Sequence, residues 1–105
     1  MSTIRNIYDE SHWVEANGYP EGTKMKTLRD EEGAKTVLLK IPKGFHMESH
    51  THVCNEQHLI LDGEYEIEGQ AYSSGTYRFI ESHKDHGPFT SKTGAMILVV
   101  WDKIN

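Results

Sequence analysis

Four of the seven histidines of this 105-residue chain fall in one short stretch, "GFHMESHTHVCNEQHLILDG", residues 44 to 63. Imidazole nitrogens at such density are suited to holding a metal ion or to moving protons. Along an extended chain alternate side chains share a face, so His50, His52, Cys54, Glu56 and His58 are expected on one side, with His46 and Glu48 in the same parity. Two histidines two residues apart deliver two nitrogens to one point, and Glu56 can add an oxygen. Nitrogen and oxygen donors of this kind suit zinc, iron, manganese, nickel or copper.

Such residues need a scaffold, and the rest of the sequence indicates one built of strands. Short apolar runs, "MKTL", "AKTVLLKI", "HLILDGEYEIEGQAY", "GTYRFIE" and "AMILVVW", alternate with turn signals such as "RDEEG" and "PKG". Asp62-Gly63 is expected to separate two strand-like runs, and Glu68-Gly69-Gln70 to form a further turn. No convincing helical periodicity lies between these runs, so the fold class is all-β, an antiparallel sandwich or barrel. Residues 1–24, punctuated by Gly18, Pro20 and Gly22, read as an irregular N-terminal arm laid over a β-domain of residues 25–105.

Length allows one hydrophobic core. Hydrophobic residues make up 36% of the chain, and ten aromatic residues supply bulk: two Trp, five Tyr and three Phe. The net charge is -5 with no basic cluster, which argues against nucleic acid and anionic membranes as partners. The single cysteine, Cys54, excludes an internal disulfide. "MSTIRNIYDESHW" has no signal-peptide pattern, and a cytoplasmic location is expected. The longest apolar run, "AMILVVW", is strand length, far short of a span.

The spacing Gly44-x5-His50-x-His52-x3-Glu56-x6-Gly63 resembles the first motif of the cupin superfamily at every defined position. Five such matches would arise by chance on the order of once in three thousand chains of this length. The resemblance implies a double-stranded β-helix, or jelly-roll barrel, with His50, His52 and Glu56 as metal ligands. Counting from Gly75 by the second cupin motif places a fourth ligand at His86, although Glu81, His83 and Thr90 replace the usual proline, glycine and asparagine. His83 is the rival ligand if the loop is shifted. The implied cofactor is one divalent metal ion per chain, iron or zinc first, manganese, nickel or copper otherwise.

"YPEG", "VLLKIPKG" and "DHGPFTSKTGAMILVV" are similar to one branch of the superfamily. It holds the C-terminal cupin of anti-sigma factors that respond to oxidative signals, and dioxygenases similar to those cleaving acetylacetone and dihydroxyacetophenone. The resemblance implies a metal-dependent dioxygenase acting on a small diketone or phenolic ketone in the barrel, or a non-catalytic zinc-bearing sensor working through a protein partner. The N-terminal zinc-binding helical domain of such anti-sigma factors is not expected in 105 residues. A homodimer is expected, since small cupins pair through edge strands and arms. His58 and His46 are the candidate acid/base groups. Cys54 reads as a small buried hydrophobe, and Tyr65, Tyr77, Phe79, Met96, Leu98 and Trp101 as core or pocket lining.

Overall fold

The computed structural model describes residues 2–49, 53–85 and 88–103. Nine strands form among them: β1 Val14–Glu15, β2 Lys24–Glu31, β3 Ala34–Ile41, β4 Phe45–Met47, β5 Glu56–Ile67, β6 Gln70–Ser73, β7 Tyr77–Ile80, β8 Phe89–Ser91 and β9 Ala95–Trp101. All pairings are antiparallel, in the order β1-β2-β3-β9-β5-β8-β4, with β6 and β7 both pairing β5. Among the described residues no helix is long and apolar enough to cross a membrane.

Burial follows the expected period of two. In β9, Ala95, Ile97 and Val99 are buried and point into the curled sheet, while Met96, Leu98 and Val100 are only partly covered. The interior cluster adds Val37, Leu39 and Ile41 from β3, Phe45, Ile60, Tyr65 and Phe89. Phe89 is its hub, with ring centroids 5.1 Å from Phe45 and 5.4 Å from Tyr65, the latter edge-on.

Strand β5 holds the two halves together. Its first half pairs β9 and β7, and its second half pairs β6 and β8. The turn expected at Asp62-Gly63 is absent: the chain runs on, and the register with β9 shifts between Ile60 and Asp62. One extra residue reverses the alternation, so Glu56, His58 and Ile60 face inward before the bulge and Tyr65 does so after it. Gly63 permits this bend. Its φ is 77°, and a Cβ there would lie 2.2 Å from the Gly94 carbonyl oxygen.

The hairpin turns are two-residue loops, Glu32-Gly33 between β2 and β3 and Glu68-Gly69 between β5 and β6, each with both residues at positive φ. The charged "RDEEG" is thus mostly strand, since Arg29, Asp30 and Glu31 continue β2.

Residues 2–13 have no regular structure, and Val14–Glu15 joins the sheet beside β2. The segment is fixed by Lys26, whose ammonium donates to the backbone carbonyls of Asp9 at 2.6 Å and Asn6 at 3.5 Å. Trp13 completes the attachment, its ring 4.5 Å from Lys40 Nζ.

Candidate metal and substrate site

Glu56 opens β5 and is 2% exposed, a carboxylate inside the sheet's concave face. A buried carboxylate needs hydrogen-bond donors. Trp101 Nε1 donates to Oε1, and His58 Nε2 meets Oε2. His58, 3% exposed, has its other nitrogen 3.0 Å from the Tyr65 hydroxyl. An ionised carboxylate only accepts, so an N–H of His58 facing Glu56 sits on Nε2, which leaves Nδ1 to the Tyr65 hydroxyl. Arg78, in register with His58 across β7, lies near Tyr65, and its charge opposes the rise that burial imposes on the phenol. Hydrogen bonds therefore run from Tyr65 through His58 to Glu56, and Trp101 supports the carboxylate's other oxygen.

Backbone pairing sets this arrangement. Glu56 lies between Trp101 of β9 and Ile80 of β7. Asn55, just before it, accepts from Ser82 N at 2.9 Å through its side chain and from Asp102 N at 3.0 Å through its carbonyl. The segment after β7 is thereby tied to the start of β5.

His50, His52 and His86 lie outside the described residues. Among the described residues no group of three or more His, Cys, Asp and Glu side chains is gathered as a metal site. The same-face expectation holds for Glu56 and His58, and residues 53–55 lie outside any strand. Cys54 there is half-buried, and its thiol is held up by burial and then by the Glu56 charge, conditions that disfavour a thiolate. His83 is exposed at positive φ. His46 is exposed and sits 2.7 Å from Glu48.

Two residues expected as core or pocket lining are largely exposed and outside the core, Tyr77 at 57% and Phe79 at 51%. They occupy the face of β7 opposite Arg78 and Ile80, and the Tyr77 hydroxyl bonds Gln57 at 2.6 Å. Tyr19 was not anticipated near the site. It packs against the core, and burial, with the Glu56 charge adding to it, pushes its phenol above the ordinary range. The same causes raise Tyr65: burial leads, Arg78 opposes it and Glu56 adds to it. Tyr19 precedes Pro20 in an irregular segment, where no periodicity marks an inward-facing residue.

A curled antiparallel sheet with a polar cluster on its concave face defines the protein as a cupin of the jelly-roll type. The chain belongs to the ChrR cupin-like domain family, whose sequence profile matches residues 3–105. Solved structures agree on the fold. The structure of Rhodobacter sphaeroides SigE in complex with the anti-sigma ChrR matches with a TM-score of 0.73 at 21% identity, covering 90% of this chain and 51% of that one. An acetylacetone dioxygenase from Acinetobacter johnsonii gives a TM-score of 0.78 at 16% identity over 96% of this chain and 74% of that one. An RmlC-like cupin from Shewanella frigidimarina gives 0.75 at 20% identity over 96% and 93%. The chain thus spans about half of the ChrR-complex chain it matches. No curated protein matches the sequence.

Proposed function

We propose that this cupin holds one divalent metal ion, iron or zinc first, through His50, His52, Glu56 and His86, and acts as a dioxygenase-like enzyme on a small diketone or phenolic ketone. The observation that carries the proposal is Glu56: a carboxylate buried on the concave face and oriented by His58 and Trp101. The donor set fits such an ion, three imidazoles and a carboxylate whose orientation other side chains fix. The tie from Asn55 to Ser82 supports convergence, since it draws the segment leading to His86 toward Glu56.

A bound divalent ion would supply Lewis acidity toward an enolate-type oxygen. The chain's own residues do the remainder. Glu56 stays ionised as a ligand, and His58, in contact with both Glu56 and Tyr65, is the candidate to take up the proton a diketone releases on becoming an enolate. Ile60, Ile97 and Phe89 make the interior beyond His58 apolar and exclude water from it. His46 is the candidate for contact with substrate at the rim.

Metal analysis of protein purified without chelators, followed by oxygen uptake with a panel of β-diketones, tests this reading. One equivalent of metal and consumption of a diketone are expected. Unchanged cation uptake in the His50→Ala/His52→Ala double variant would refute the ligand assignment. The similarity to the ChrR complex favours a second reading, a zinc-bearing cupin that senses a ligand or oxidant and acts through a protein partner. Tightly held zinc with no oxygen uptake, and co-purification of one protein partner, would select it. In either case a homodimer in the cytoplasm is proposed, and sedimentation analysis tests the dimer.

A further inference from the structure

A cavity of about 320 Å³ opens beside the site, lined by Tyr65, Ile67, Tyr72, Thr76, Tyr77 and Arg78. Its volume is at the lower end of the range for small-molecule pockets. Arg78 is the cationic residue of the lining, and no carboxylate lines the wall beside it. Its Nη1 is closed off from solvent and meets no acceptor among the described residues. Arg78 also makes no ion pair with any of them.

A buried guanidinium nitrogen without an acceptor is unfavourable, because the hydrogen bonds water would give it are lost and nothing replaces them. The larger grooves, of about 650 Å³ under Trp13 and about 710 Å³ beside Arg29, contain no such atom. A ligand with an acceptor oxygen that enters the cavity is one source of the partner Arg78 lacks among the described residues. A guanidinium is a planar fork that matches two oxygens of a carboxylate, and tyrosine faces with Ile67 suit a flat or apolar body behind it.

We propose that this cavity is a binding site for a small organic carboxylate, its oxygens taken by Arg78 as the guanidinium turns Nη1 into the cavity, and its body packed against Tyr72 and Ile67. The site is independent of metal loading. Its occupant nevertheless lies next to the residues that hold Glu56, because Tyr65 lines the cavity and is hydrogen-bonded to His58, which meets Glu56.

Benzoate is a suitable probe and benzamide, of the same shape without charge, its control. In NMR and calorimetric titrations of the full chain as purified, benzoate should bind saturably, with shifts at Arg78, Tyr72 and Thr76, and benzamide at least about tenfold more weakly. Arg78→Met should lose about tenfold or more of the benzoate affinity, whereas a benzoate bound to metal would be retained. Arg78→Lys keeps the charge without the fork, serves if the methionine variant does not fold, and should bind more weakly than the parent. Equal binding of benzamide, unchanged affinity in either variant, or no benzoate binding would overturn the proposal.

Discussion

Lys26 and Glu56 are both ionisable, and both are about as buried as the apolar core: 3% and 2% exposed. They are satisfied in different ways. Lys26 lies toward the N-terminal segment and is met by backbone carbonyls of Asn6 and Asp9, fixed dipoles that cannot exchange a proton. Glu56 lies inside the sheet and is met by side-chain donors, one of them an imidazole that is itself hydrogen-bonded to a phenol. The first arrangement attaches polypeptide. The second keeps a charge available for chemistry, at a desolvation cost an apolar residue would not incur.

Substituting the two residues should separate these roles. Glu56→Gln preserves shape and removes the charge, and the largest effect is expected there: metal affinity lower by about a hundredfold or more, measured by competition with a chromophoric chelator. Lys26→Ala should leave that affinity alone. It should instead lower stability by about 2 kcal/mol, read by denaturant unfolding, and speed proteolysis before residue 24, because two carbonyls lose their donor. Equal losses of metal in both variants would abolish the distinction. Trp101→Phe tests the support on Glu56 Oε1 and should weaken metal binding about tenfold with little change in the unfolding midpoint.

The shared face of Glu56 and His58 was legible in the sequence because the strand period shows which residues point the same way, and both are buried. Lys26 was not, because its partners are backbone atoms seventeen and twenty residues away, in a segment without periodicity. Gly63 illustrates the intermediate case. Asp-Gly between apolar runs signals a hairpin turn, yet here β9 crosses so closely that only glycine fits, and the same residue serves a bulge within a continuous strand. Trp101 was expected as core or pocket lining together with Met96 and Leu98, which lie on the opposite parity, and its bond to Glu56 depends on the β5–β9 register between residues 45 positions apart. Phe79 is exposed rather than core, because strand spacing alone does not say which parity is inside.

The smallest expected effect concerns Tyr19, which brings the N-terminal segment and the interior carboxylate together. Its phenol is raised above the ordinary value of 10.0 by burial and then by Glu56. Above pH 10 the unfolded chain releases this proton while the folded chain retains it, so the unfolded state binds fewer protons and stability falls as pH rises. The contribution is fully present below pH 10 and should decline by about 1.4 kcal/mol by pH 11. Tyr19→Phe removes this one group and leaves the other tyrosines in place. In chelator-treated protein, the difference in unfolding free energy between Tyr19→Phe and the parent should therefore shift in favour of the variant by about 1 kcal/mol between pH 9 and 11. Parallel stability curves would show that Tyr19 ionises as freely folded as unfolded. Tyr19 would then be open to solvent rather than packed against the core beside Glu56.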